Sequence, residues 1–204
     1  MPSNYEDDGL RMNAGSSEDN SDAQDITDAL NGEEAAYARL LRRYEKEIAR
    51  QMWRFTRDAE TLESLVHDVF VEAYLSLPKF RAQAPFLHWL RRIATRVGYR
   101  HWKQNARWNR HEDTRYVAEI KNGLVADNPE PSEAAEYVFY LLENLPIEDR
   151  LVLTLRYFEQ CDTREIADRT SWSVAKVKIR AWRARKKLAA MLQDAGYGRK
   201  DDEK

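Results

Sequence analysis

Residues 161–188 read CDTREIADRTSWSVAKVKIRAWRARKKL. Asp162 with Glu165 three positions on has the spacing of a capping box. In such a start, one side chain accepts from the third backbone N–H and the third residue's carboxylate answers the first. This predicts a short helix to about Arg169. Thr170, Ser171 and Trp172 make a tight connection, and Ser173 caps a longer helix to about Leu192. A short helix, a three-residue turn and a longer helix is helix-turn-helix spacing. The longer helix carries Lys176, Lys178, Arg180 and Arg183 in its first half, while Val177, Ala181, Ala184 and Leu188 can face inward. A recognition helix enters the major groove by its N-terminal part, where Arg offers guanine two donors and Lys reaches guanine or phosphate. Arg185, Lys186 and Lys187 lie further along, better placed for the DNA backbone. The alternative is a basic, solubilising helix.

Working outward, charge comes in blocks. The chain has 204 residues and a formal net charge of −2. Residues 1–30 hold eight acids and one base, Arg11. Residues 79–111 hold nine bases and no acid, residues 112–136 return to seven acids against two bases, and residues 169–187 hold eight bases and no acid. Positive stretches of this length repel themselves unless a polyanion is near. Two of them, split by an acidic segment, point to two separate contacts with nucleic acid. Two solvated helix faces are the plainer alternative. The first basic block also interleaves Phe80, Phe86, Trp89, Tyr99, Trp102 and Trp108. Phe86 and Trp89 fit an inner stripe. Phe80 on a loop and the Tyr99/Trp102 pair are less easily absorbed into a core, and aromatics beside a positive groove suit unstacked bases.

Hydrophobic periodicity predicts an all-α protein of two small helical domains, a three-helix bundle and a helix-turn-helix bundle, on a flexible linker. Residues 1–30 are acidic, poor in large apolar residues and expected to be disordered. Helical spacing begins near Glu33 with Tyr37, Leu40, Leu41, Tyr44, Ile48, Met52 and Phe55. A second helix, about 60–77, ends at Pro78. After the loop Lys79 to Ala84, Pro85 opens a third, with Arg92, Arg96 and Arg100 in one outward row. The first domain is 31–111. Residues 112–133 form the linker, with a reach of roughly 75 Å when extended. The second domain is 134–195, with a helix up to Leu145 and another from Pro146 to about Phe158, and 196–204 is a tail.

Composition excludes several classes. With 7 glycines and 6 prolines, turn chemistry is too scarce for an all-β or Gly-rich nucleotide fold. The single cysteine, Cys161, permits no internal disulfide or Cys-rich zinc site, and has no evident base partner. His67-Asp68 with Glu63 resembles a metal dipeptide, but nothing completes a ligand set. No P-loop or nucleophile elbow is present. No catalysis, cofactor or metal is expected. No apolar run approaches the roughly 20 residues that span a bilayer, and the first residues lack a signal peptide's basic start and apolar stretch. The expectation is a cytoplasmic protein.

These segments resemble a bacterial RNA polymerase sigma factor of the extracytoplasmic-function (ECF) group. Glu60 to Tyr74, reading ETLESLVHDVFVEAY, is similar to the core-polymerase-binding helix of that group. Phe86 to Ala94 is similar to its promoter-melting helix. Leu145-Pro146 with Asp149-Arg150, then Glu165-Ile166-Ala167, then Val177-Lys178 and Arg183-Ala184-Arg185, are similar to its second-domain signature. The resemblance covers about 33–107 and 136–192. It implies a three-helix region-2-like bundle and a region-4-like helix-turn-helix bundle. It implies that Asp68, Val69 and Glu72 bind the clamp coiled coil of core RNA polymerase. Lys79, Phe80, Arg81 and Gln83 of the loop, with Arg92, Arg96 and Arg100, would hold the melted minus-ten strand. Ser173, Lys176, Lys178, Arg180 and Arg183 would read or grip the duplex minus-thirty-five element. An anti-sigma factor is implied as a further partner, and membrane insertion is not. Ser171 stands where the family usually has Gly, which relieves a left-handed backbone position, so this residue is expected to be strained or the turn differently built. The competing reading is a two-domain helix-turn-helix regulator that binds duplex DNA without polymerase.

Overall fold

The structure, a computed structural model, describes residues 21–108 and 133–194, and every regular element among them is helical. The expected tail 196–204 and all of the expected linker but its last residue lie outside the described residues, as do residues 1–20.

The acidic N-terminal stretch departs from expectation. Residues 21–30 form a helix, α1, with Asp22, Asp25, Ile26 and Ala29 buried. Their partners lie on α2 (Glu34–Met52). Arg43 bonds both Asp22 and Asp25, Arg39 bonds Asp25 at 2.7 Å, and the Tyr44 hydroxyl donates to Asp22. Burial pushes the Asp25 carboxyl up, but the hydrogen bonds from Arg39 and Arg43 outweigh it and leave the group below the usual carboxylate range. Acids that look like solvated tail are anchors because α2 sets two arginines opposite them, and paired charges tolerate burial.

The next two helices follow the apolar pattern. The Asp58 carboxylate caps α3 (Ala59–Ser76) by accepting from the Thr61 N–H. Leu62, Leu65, Val69, Phe70 and Ala73 are its buried stripe. Pro78 converts its end into a single 3-10 turn, Leu77–Lys79. The long α4 (Phe86–Trp108) follows Pro85 and buries Leu90, Ile93, Ala94 and Val97.

In the C-terminal half, α5 (Glu133–Glu143) leads to α6 (Ile147–Leu153), whose last turn widens into a π-helical segment, Thr154–Phe158. The predicted capping box is present: Asp162 and Glu165 exchange bonds at the start of α7 (Thr163–Thr170). The Ser173 hydroxyl accepts from the Lys176 N–H, 3.2 Å away, at the start of α8 (Val174–Asp194). Ser171 is left-handed, φ 58° and ψ 32°, so of the two expected outcomes the strained serine is the one found, at a cost of about 1–2 kcal/mol.

The halves are in contact. α4 lies against α6 and α7, and Val152, Leu155, Cys161 and Ile166 join the same buried cluster as Leu90 and Ile93. A smaller core of Leu142, Leu145, Leu153 and Ala184 belongs to the second half alone.

Gly98 shows how closely α4 packs. A Cβ there would stand 2.4 Å from the Phe55 ring. That ring is held in turn by Trp102, 4.6 Å away, whose indole N–H donates to the Phe55 carbonyl at 2.7 Å. Gly98→Ala should therefore lower the stability of the full chain by about 1–3 kcal/mol, read from its denaturation midpoint. An unchanged midpoint would mean that Phe55 yields freely.

Candidate nucleic-acid interface

Which face of α8 is free is decided by two acids on α6. Asp149 is fully buried. Its carboxylate accepts from Arg180 at 3.2 Å and Lys187 at 2.7 Å. Glu148 pairs with Arg180 and with Lys176 at 3.2 Å. Three of the eight bases in the second basic block are thus turned toward the protein, and a fourth, Arg169, is buried beside Glu159. Lys176 also lies 4.0 Å from the Trp172 ring centroid. Ser173 is exposed but occupied as the cap. Lys178, Arg183, Arg185 and Lys186 remain on the open face, and among the described residues Lys178 and Arg183 have no ion-pair partner. Between them stand Ile179 and Trp182, 52% and 59% exposed. Sequence reading passed over both. The signal available was their position on the helical wheel, opposite the inward Val177 and Ala184.

The expected strand-holding surface is less open than its sequence suggests. Lys79, Arg81 and Gln83 are exposed on the loop before α4, around Ala82 at φ 51°. Phe80 is not a free ring. It packs edge-on against Phe86 at 5.6 Å and against Trp89 at 5.2 Å. Trp102 is core, 5% exposed. Tyr99 is half-buried, with Trp172 of the helix-turn-helix turn edge-on at 6.1 Å. The arginine row is shared out as well. Arg92 pairs with Asp168 of α7 at 3.4 Å, while Arg96 and Arg100 reach Glu72 of α3 at 3.8 and 3.1 Å.

The outer face of α3 also differs in composition from the expected set. Val69 is fully buried and cannot meet a partner. Glu72 is engaged by the α4 arginines. Asp68 is exposed, with Ser64 one turn before it. Val71 and Leu75, 42% and 72% exposed, continue the same strip. A groove of about 270 Å³ opens beside it, lined by Asp58, Glu60, Asp68, Arg100 and His101. Among the described residues no group of three or more His, Cys, Asp or Glu is gathered that could hold a metal. Burial pushes the Cys161 thiol up to about 11, which keeps it protonated and unreactive. No described helix is long and apolar enough to cross a membrane.

Two family profiles match the two halves. Residues 40–108 match the family described as Sigma-70 region 2, and residues 135–188 match Sigma-70, region 4. The RNA polymerase sigma-H factor of Pseudomonas aeruginosa is 30% identical over 183 residues, which cover 84% of this chain and 94% of that protein. The chain belongs to the sigma-70 family of RNA polymerase sigma factors. The ECF RNA polymerase sigma-E factor of Escherichia coli K12 is 28% identical over 172 residues, 79% of this sigma factor and 89% of its relative, and the ECF group is where the chain falls. Two solved structures share the fold. CnrH in complex with the cytosolic domain of CnrY matches with a TM-score of 0.57 at 24% identity, over 85% of this chain and 98% of CnrH. RpoE in complex with the anti-sigma factor NepR from Bartonella quintana matches with a TM-score of 0.56 at 16% identity, over 77% and 96%.

In this sigma factor Arg180 therefore has a structural task, because it neutralises a carboxylate that has no access to water. Removing the carboxylate instead leaves Arg180 and Lys187 without their common anchor. Asp149→Ala is expected to cost about 1.5–3 kcal/mol, the range for a hydrogen bond to a charged group, since the partly exposed Arg180 and Lys187 can then turn to water, measured by chemical denaturation of the full chain. A cost below the range for a single neutral hydrogen bond, about 1 kcal/mol, would remove Asp149 from that role.

Proposed function

We propose that this sigma factor attaches to core RNA polymerase by the outer face of α3, reads the minus-thirty-five duplex with the open face of α8, and holds the opened minus-ten strand on α4 and its preceding loop. The observation that carries the reading is the capped α8, rotated by buried Asp149 so that Lys178 and Arg183 face outward. Cations on that face neutralise phosphate and release counterions, and Arg183 or Lys178 can also reach base edges. On α4 the aromatic rings expected to stack on bases are engaged elsewhere. The strand is therefore held chiefly through phosphate by Lys79, Arg81, Arg96 and Arg100, with the Gln83 amide available to a single unpaired base. Arg96 and Arg100 are about half exposed, and exposed pairs such as theirs with Glu72 are weak enough, about 0–1 kcal/mol, for a phosphate to replace them.

Polymerase docking uses Asp68 with Val71 and Leu75, a charge beside exposed apolar side chains that can be buried on contact. The sigma factor contributes no reacting group and works by binding energy alone, in the cytoplasm where the polymerase operates. The solved relatives were captured with the cytosolic domain of CnrY and with the anti-sigma factor NepR. An anti-sigma partner is the corresponding proposal for this chain.

In transcription assays with core polymerase, initiation from a premelted promoter should need an intact α3 face. Asp68→Lys should lose polymerase association in a pull-down while keeping its helical circular dichroism, and retained association would move the docking surface off this helix. Lys178→Ala and Arg183→Ala should each weaken minus-thirty-five binding by about 1–3 kcal/mol without changing stability. Arg180→Ala should lower stability as well as binding, and an effect on binding alone would put Arg180 in the DNA-reading set.

A further inference from the structure

We propose that Tyr44, Phe86 and Phe80 form an aromatic clasp that positions the loop before α4 for one unpaired base, and that Asp22 of α1 holds the clasp from behind. The inference deepens the assignment of that loop made above and rests on it. The loop itself has little to fix its shape. Residues 81–85 are all exposed, and Ala82 stands in the left-handed region at φ 51°. A segment with no buried side chain and a strained residue keeps one shape only where its ends are held. Both ends are aromatic. Phe80 stands just before the loop and Phe86 just after it, and their rings meet edge-on at 5.6 Å. Trp89, one turn further along α4, closes the triangle at 5.2 Å from Phe80 and 5.4 Å from Phe86.

Behind the triangle stands α2. Phe86 is buried, and the ring of Tyr44 lies 5.7 Å from it. The Tyr44 hydroxyl donates to the Asp22 carboxylate, a hydrogen bond to a charged group that fixes the far end of the ring. Asp22 is buried in its turn and is held by Arg43, which also bonds Asp25 at 2.7 Å. Contacts therefore run without a break from a carboxylate on α1, through Tyr44 and Phe86, to Phe80 at the base of the loop. Residues 21–30 precede residue 40, where the match to Sigma-70 region 2 begins. Being buried, Asp22 and Tyr44 do not meet the strand, and both are positioning residues.

The plainer reading is a packed core and nothing more. Gln83 separates the two, because it lies midway between Phe80 and Phe86, three residues from each. Any shift of the ring pair moves its amide. A hydrogen bond weakens steeply when its donor and acceptor lose alignment, so an amide that meets a base edge registers a small displacement. Lys79 and Arg81 reach phosphate on long, flexible stems and do not. A loop already held in shape also loses less freedom when a base enters. Loosening the clasp should therefore reduce the choice of base while leaving phosphate-driven binding in place, whereas a general loss of structure would reduce both.

The test loads the full chain on core polymerase, selects from a pool of short single-stranded DNA randomised along its length, and reads base preference by sequencing. The parent should prefer one base at one position by about fivefold or more, the lower end for a bidentate side-chain contact. Gln83→Ala should abolish that preference. Tyr44→Leu should abolish it too, while total binding of the pool, set by phosphate contacts, stays at the parent's level. Tyr44→Phe keeps the ring and frees it from Asp22. It should lower the preference, and Asp22→Asn added to it should lower it no further. Full preference in both Tyr44 variants, with loss in Gln83→Ala, would overturn the clasp. Preference lost in Tyr44→Leu but complete in Tyr44→Phe would overturn the part given to Asp22. A parent with no preference, or one that keeps it in Gln83→Ala, would overturn the loop assignment and the clasp with it. Helical circular dichroism and polymerase association identify an unfolded variant. Should Tyr44→Leu unfold, Tyr44→Phe and Asp22→Asn carry the test, and full preference in both would then overturn the clasp.

Discussion

A carboxylate sealed from water must be met by cations, and in this sigma factor that requirement sets the orientation of α8. Asp149 accepts from Arg180 and Lys187, seven residues and two turns apart on α8. Two anchors along one helix fix its rotation as well as its position. The face left outward, with Lys178, Ile179, Trp182 and Arg183, follows from that rotation. Arg150, the next residue on α6, lies about 100° round the helix and turns to the other half, over Trp102. Two adjacent residues of a short helix thus tie it to α8 on one side and to α4 on the other.

α4 is where the competing demands meet. Its inner stripe and Gly98 pack it closely into the first bundle. Its outer arginines need anions, and without a nucleic acid they take what the chain offers, Glu72 on α3 and Asp168 on α7. These pairs are exposed and individually weak. A polyanion with many phosphates displaces them more readily than it would displace a buried pair such as Asp149 with Arg180. The chain therefore separates two uses of charge by burial: buried pairs set geometry, and exposed pairs hold places that a ligand can take.

Much of this was legible in residue order. The capping box at Asp162 and Glu165, the serine cap of α8, the apolar stripe of α3 and the stop at Pro78 all stand where local pattern puts them, because each depends on residues within one or two turns. The left-handed Ser171 was legible too, from a serine where a glycine is usual. What failed were the statements that needed a second element. Val69 belongs to the α3 stripe, and its full burial against neighbouring helices takes it off the helix's outer surface. Phe80 has Phe86 and Trp89 beside it. Residues 21–30 look like solvated tail until Arg39 and Arg43 stand opposite their acids.

By itself, the sequence determined that the chain is helical, that its bases gather in two acid-free blocks, and that the second block lies on a capped helix after a tight turn. Periodicity, capping and charge runs are properties of neighbours along the chain, and one strand of letters contains them whole. Only the tertiary structure decided which of those bases are free. A lysine or arginine reads the same in sequence whether it faces solvent or a carboxylate from a helix 30 residues away. Its Coulomb partner, and with it its availability to DNA, exists only once the helices are packed.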